Sequence, residues 1–191
     1  MKMKTLVLAG LFALATLPAF AADAYKIDPA HTQVEFTYSH LGFSNITGRF
    51  DKIESEFVFD AADPTQSSVT VTIPVDSIST GVAKLDEHLL SADFFDAAKY
   101  PTATFTSTGV TVAGEGKLAV AGDLRIHGVT RPVVMDVTIN KLAQHPVSKK
   151  PAAGFDARFD IKRSEFGVGG YAPAVSDEVR IEITVEAQKA G

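Results

Sequence analysis

Histidine, aspartate and serine are the side chains here that could do chemistry, so their spacing is the first test. The chain has five histidines, His31, His40, His88, His127 and His145. No two are spaced to share a helix or strand face, so tertiary structure alone would have to gather them around a metal, and no metal site is expected. Asp28, His31 and Ser44 lie close in sequence and supply the residue types of a serine hydrolase. Closeness in sequence is not triad geometry, and Ser44 lacks the flanking glycines of an oxyanion loop. No Gly-x-Ser-x-Gly, His-Glu-x-x-His or Gly-x-Gly-x-x-Gly occurs. Gly109 and Gly114 have phosphate-loop spacing, but Glu115 stands where the lysine belongs and would repel a phosphate. With no cysteine, thiolate catalysis, Cys-ligated zinc and iron–sulfur clusters are excluded.

Two places carry polar groups among apolar ones. His40 shares strand parity with Val34, Phe36 and Tyr38, so it points inward at the end of an apolar run and needs a partner at a rim or on a ligand. The segment Asp86 to Phe95 concentrates charge and aromatic bulk. Its plain role is a plug made by Leu89, Phe94 and Phe95; a sharper one is a gate or head-group contact through His88 and Asp86. His127 sits in a turn, and His145 precedes Pro146 in a polar loop, both as solvated side chains.

The elements that must position these residues read mostly as strands. Val34/Phe36/Tyr38, Phe57/Phe59, Val69/Val71/Ile73/Val75, Leu118/Val120/Leu124/Ile126, Val133/Met135/Val137/Ile139, Phe155/Phe159/Ile161 and Val179/Ile181/Ile183/Val185 alternate with polar neighbours. That is the period of half-buried antiparallel strands. Asp63-Pro64, Gly114-Glu115-Gly116, His127-Gly128 and the longer stretches Gln144 to Gly154 and Gly167 to Pro173 supply the turns. Only Val82 to Ala98 breaks the pattern, with Val82, Leu85 and Leu89, then Phe94 and Phe95, at helical spacing. Ser91 and Asp93 are placed to cap a second short helix before Pro101. Seven to nine amphipathic strands with one short helical segment near residues 82–98 predict an all-β fold. Its form is an eight-stranded antiparallel barrel, the size at which the interior is just filled or holds one small ligand. Gly122, Ala157 and Ala103 keep some strands slim.

The N-terminus reads as an export signal. Lys2 and Lys4 precede the apolar run Leu6 to Leu17, and Ala19-Phe20-Ala21 forms a small-residue cleavage signature. The run is shorter than the roughly 20 residues of a membrane span. Residues 1–21 are therefore expected as a signal peptide and 22–191 as one mature domain, exported and not stably inserted in a membrane. Losing Lys2 and Lys4 takes the formal charge from -5 to -7, which disfavours nucleic acid and anionic lipid surfaces.

Four ordered blocks resemble the YceI-like family. The first is Tyr25-Lys26-Ile27-Asp28-Pro29-Ala30-His31-Thr32 with Val34, Phe36, His40-Leu41-Gly42-Phe43 and Gly48-Arg49-Phe50. The second is His88-Leu89-x-Ser91-x-Asp93-Phe94-Phe95-Asp96, and the third Lys99-Tyr100-Pro101-x-Ala103-x-Phe105. The fourth runs from Gly122-Asp123-Leu124 through His127-Gly128-Val129-Thr130 to Pro132-Val133, and Glu178-Val179 closes the match. The resemblance covers residues 23 to 188.

It implies an elongated lipocalin-like barrel in the periplasm, without cofactor or catalysis. An apolar tunnel would hold a polyisoprenoid, isoprenoid quinone or similar lipid as monomer or homodimer. Carrier or scavenger roles follow, with capture of other lipophilic molecules such as hydrophobic antibiotics. Strand parity then assigns the lining to Val34, Phe36, Tyr38, Phe57, Phe59, Val71, Ile73, Phe105, Leu124, Met135, Phe155, Phe159, Ile181 and Ile183. His40, His88, Leu89 and Phe94 stand at one end. Family members often carry Arg three residues before the helical His; Leu85 stands there, which favours a neutral, quinone-like head over a diphosphate. The competing readings are a small hydrolase around Asp28, His31 and Ser44 and a filled-core stress-response interaction module.

Overall fold

The computed structural model describes residues 22–191; the expected leader, residues 1–21, lies outside them. The alternating runs form antiparallel strands β1 (Asp23–Ile27), β2 (Gln33–His40), β3 (Ser44–Phe50), β4 (Glu54–Phe59), β5 (Ser68–Pro74) and β6 (Ile78–Ser79), followed by helix α1 (Ala83–Leu90). Strands β7 (Thr102–Gly114), β8 (Lys117–Ile126), β9 (Val129–Gln144), β10 (Pro151–Lys162) and β11 (Glu178–Lys189) complete the chain.

The early strands come in broken pairs. Along one edge of β11, Arg180 to Thr184 pair with β2 and Ala187 to Lys189 pair with β1. β1 and β2 thus form one interrupted stave. β3 pairs with β2 while β4 pairs with β1, and β5 and β6 add to β4 and β3 in turn. Three broken staves and the five long strands β7 to β11 make an eight-stranded antiparallel barrel, closed where β11 meets β1 and β2. Closure removes the sheet edges, which would otherwise leave unpaired amide groups.

Inward residues follow parity and form two clusters. The larger gathers Phe59, Phe105, Val110, Leu118, Val120, Leu124, Met135, Val137 and Phe155. The smaller, of Phe36, Ile78, Leu89 and Val179, brings α1 against one end of the barrel, where Leu85, Phe94 and Phe95 join it. Pro132 is tolerated inside β9 because it faces Asp123 of β8, while the β10 side of β9 has no ladder partner before Asp136.

Two local expectations change. No second helix follows α1: the Ser91 hydroxyl donates to the His88 carbonyl at 2.7 Å, and positive φ at Asp96 interrupts the run, so Ser91 to Ala97 close as turns. The connection read as Gln144 to Gly154 shortens, because β9 continues to Gln144 and β10 begins at Pro151. The slim position at Gly122 is where the Phe105 ring lies, as the Phe36 ring lies over Gly48. A Cβ at Gly122 would collide with that ring and stand 2.6 Å from the Thr106 carbonyl oxygen. Gly122→Ala is expected to destabilise the barrel by about 1–3 kcal/mol through overpacking, read as a lower midpoint in denaturant unfolding at unchanged slope.

Candidate functional site

The interior is not filled. A cavity of about 790 Å³ lies inside the barrel, towards the upper end of the ~300–1,000 Å³ usual for small-molecule sites. Every strand except β6 contributes to its wall. All eighteen residues named from the sequence face it: Val34, Phe36, Tyr38, His40, Phe57, Phe59, Val71, Ile73, His88, Leu89, Phe94, Phe105, Leu124, Met135, Phe155, Phe159, Ile181 and Ile183. Strand parity missed neighbours that complete the wall, among them Phe50, Ile53, Val69, Leu85, Phe95, Ala157, Ile161 and Val185.

Aromatic rings grade the cavity along its length. Near the end marked by Asp23 and Lys189, Phe57 and Phe59 meet Phe155 edge-on at 5.6 and 5.2 Å between centroids. At the other end Phe36 stacks on Tyr38 at 6.4 Å, tilts against Phe50 at 5.7 Å, and Phe50 meets Phe95 at 6.2 Å. The mouth lies here. His40 and Leu41 of the β2–β3 turn, His88 of α1, and Tyr171, Ala172 and Ala174 of the loop before β11 are all exposed and all line the cavity. His88 and Tyr171 rings face each other at 6.2 Å across Phe94.

Polar groups of this end are mostly committed to structure. Asp86 does not face the cavity; its carboxylate accepts from the Thr80 amide at 2.8 Å and the Thr80 hydroxyl at 2.6 Å, which fixes the entry into α1. Its expected head-group role gives way to this cap. His88 Nε2 stands 3.8 Å from the Asp93 carboxylate. The Tyr38 phenol is pushed up by burial, with the Arg163 charge pulling it partly back, so it remains a hydrogen-bond donor. Deeper in the wall the Ser55 hydroxyl is buried without a partner.

Arg163 went unsingled in the sequence, where it ends an alternating strand and reads as a surface cation. It is buried and lines the cavity. Its Nε donates to the Ser176 carbonyl at 2.8 Å, Nη1 to Val168 and Gly170 at 2.7 and 2.8 Å, and Nη2 to Val175 at 2.8 Å. One guanidinium therefore ties down the loop that forms half the mouth. Burial disfavours its charge, and Asp177 and Tyr38 act in the opposite sense; an arginine still keeps its proton. Arg163→Met is expected to cost about 3 kcal/mol, because several charge-assisted bonds are lost and buried carbonyls are left open. Faster hydrogen exchange at the Val175 and Ser176 amides, together with a lower melting temperature, would register it.

The hydrolase grouping does not assemble. Asp28 and His31 bond at 2.9 Å in the break between β1 and β2, whereas Ser44 pairs with His40 at the far end of β2, roughly 23 Å away along a strand of that length. His145, expected as solvated, is engaged instead. Its Nδ1 accepts from the Val147 and Ser148 amides at 3.3 and 3.1 Å, and its Nε2 stands 3.3 Å from the Glu186 carboxylate.

Hydrogen bonding to Asp28 raises the His31 pKa, and the same bond with that of the Ala30 amide lowers Asp28. The histidine's contribution to stability is complete below its unfolded value near 6.5 and is lost as pH rises through the raised value. The aspartate's is present above its unfolded value and lost on acidification, so the pair works in the interval between. An NMR titration should place the His31 midpoint above about 6.5, and Asp28→Asn should return it there; an unshifted midpoint in the parent protein would refute the bond.

The YceI-like domain model matches residues 25–187. A UPF0312 protein of Vibrio cholerae is 41% identical over 187 residues, spanning 96% of this chain and 97% of its own. The crystal structure of Burkholderia cenocepacia BcnA superposes with a TM-score of 0.78 at 31% identity, covering 85% of this chain and 100% of that one. A polyisoprenoid binding domain from Saccharophagus degradans shares the fold at a TM-score of 0.67 and 17% identity, over 88% and 99% of the two chains.

Proposed function

The chain belongs to the YceI-like family, and on that premise we propose that it holds a long apolar ligand, an isoprenoid or similar lipid, inside the barrel. The observation that carries this reading is the cavity itself: about 790 Å³ of space walled by Val, Ile, Leu and Phe side chains. A wall of this kind recognises hydrocarbon by taking it out of water, at about 0.8 kcal/mol for each buried CH2. Some ten buried carbons give about 8 kcal/mol before association costs of at least about 4 kcal/mol, so micromolar affinity, about 8 kcal/mol net, calls for a chain of roughly fifteen buried carbons or more.

The polyisoprenoid-binding description of a domain with the same fold supports this ligand class. The volume weighs against a filled-core interaction module, and the separation of Ser44 from Asp28 and His31 weighs against the hydrolase. The protein acts in this reading as a carrier or scavenger and not as an enzyme. It works outside the cytoplasm if residues 1–21 direct export as they read, and it can capture other lipophiles, hydrophobic antibiotics among them, because apolar walls select weakly by shape.

A chain-length series tests it. Affinities of prenyl or alkyl quinones should climb about three- to fourfold for each added buried methylene and level off once the cavity is full. Ala157→Phe, which fills space in the cavity wall, should weaken the longest ligands at least about tenfold and leave the melting temperature level or raised. Affinity indifferent to chain length, or unchanged by Ala157→Phe, would sink the proposal.

A further inference from the structure

We infer that the mouth of the barrel is a docking surface for an uncharged lipid bilayer, through which an apolar ligand passes between membrane and cavity; this rests on the binding function proposed above. Three observations at the mouth carry it.

The first is what the rim presents. Phe43 is 91% exposed, Tyr171 63% and Leu41 49%, and the run Tyr171-Ala172-Pro173-Ala174 is exposed throughout. The rim adjoins the cavity without a break, since Leu41, Tyr171, Ala172 and Ala174 also line it. Neither segment carries charge: no Asp, Glu, Lys or Arg occurs from Leu41 to Gly48 or from Phe166 to Ser176, in a chain that is 21% charged.

The second is how the backbone is treated. An exposed loop ordinarily leaves its carbonyls to water, yet here those of Val168, Gly170, Val175 and Ser176 accept from Arg163, and those of Gly169, Tyr171 and Ala174 from main-chain amides. The Ala174 carbonyl takes the Leu41 amide at 3.1 Å, which joins the two halves of the rim. Seven of the nine carbonyls from Val168 to Ser176 are thus bonded from within, those of Ala172 and Pro173 excepted, which suits a segment that meets a medium poor in hydrogen-bond partners.

The third is strain. Leu41 and Tyr171 hold φ of +54° and +62°, a region that favours glycine and costs a branched or bulky residue energy. Apolar side chains are thus kept at the two tips where Gly or Asn would sit without strain. A protein partner would be met by polar groups around the contact, and an anionic surface would be opposed by the acidic body. A zwitterionic bilayer suits a rim whose two tips are uncharged and apolar, with the Asp93 carboxylate beside His88 on the α1 side further opposing an anionic surface.

Vesicles of phosphatidylcholine carrying a fluorescent lipophile test this with residues 22–191. The parent protein should float with the vesicles, and its uptake rate should rise with vesicle concentration and stay unchanged between about 0.05 and about 0.5 M salt. Phe43→Ser, at a side chain 91% exposed and outside the cavity lining, should slow uptake from vesicles at least about tenfold while leaving affinity for the same probe delivered from cyclodextrin intact. Uptake from vesicles at the parent rate by Phe43→Ser, or a rate that depends on an added protein and not on vesicles, would overturn the docking surface. Failure to bind the probe from cyclodextrin would instead overturn the binding function itself.

Discussion

Ring closure along β11 is the constraint from which the other features follow. One edge of this strand pairs with β10 over its length, and the other must serve β2 and then β1. Two short strands on one edge cannot stay in register without a break. The chain leaves the ladder between Ile27 and Gln33, and the Asp28 amide and Thr32 hydroxyl both turn to the Glu186 carbonyl there. The same break propagates into the next two staves. A ring of eight staves then fixes an interior wider than side chains of these sizes fill, so the cavity is a consequence of closure and not of any one residue.

Closure leaves one end to be finished by other means, and the means are unlike those of the wall. Hydrophobic packing brings α1, Phe94 and Phe95 across part of the opening. The facing part is a loop rich in glycine with few side chains to pack, and hydrogen bonds from a single buried cation hold it. Arg163 can serve because its fork of donors reaches several carbonyls at once. Asp177, held below the usual carboxylate range mainly by the Ser164 hydroxyl and amide, ties the start of β11 to the same region. The buried guanidinium has carbonyl partners and no carboxylate within salt-bridge distance among the described residues, while Asp177 lies near enough to favour its charge. The sequence pointed the other way, since Leu85 removed the expected cation from α1; the charge comes from a different element.

What was legible beforehand is what periodicity governs. Alternation identified the long strands, and because each side chain on a strand has only two directions to point, it also picked inward residues with little ambiguity. The breaks between β1 and β2, β3 and β4, and β5 and β6 have no such signature, because interrupted staves and separate strands carry the same alternation. Arg163 was invisible for a related reason: a cation after an alternating run is the ordinary mark of a strand end in water, and its burial depends on a loop packed from elsewhere in the chain. Ser91 and Asp93 showed the limit of local capping rules, since a serine can close the helix before it as readily as open one after it.

The contrast between wall and rim also bears on selectivity. Inside, the polar groups are few: Tyr38, His40, His88 and Arg163 towards the mouth, with most of the arginine's donors already taken, and the hydroxyls of Thr32, Ser55, Ser67 and Ser68 elsewhere in the wall. An apolar wall gains from every methylene alike, so it ranks ligands by how much hydrocarbon they bury. A polar head group, by contrast, loses its water on entering, and only a partner in the right place offsets that loss. With the charged and ring-bearing polar groups gathered at the mouth and only hydroxyls elsewhere, an amphiphile in this barrel keeps most of its head's water by leaving that head at the rim and directing its chain towards Phe57, Phe59 and Phe155. The same asymmetry sets the order of events for any such ligand: the chain end must pass the mouth first, and the head stays where water, Arg163 and Tyr38 can all reach it.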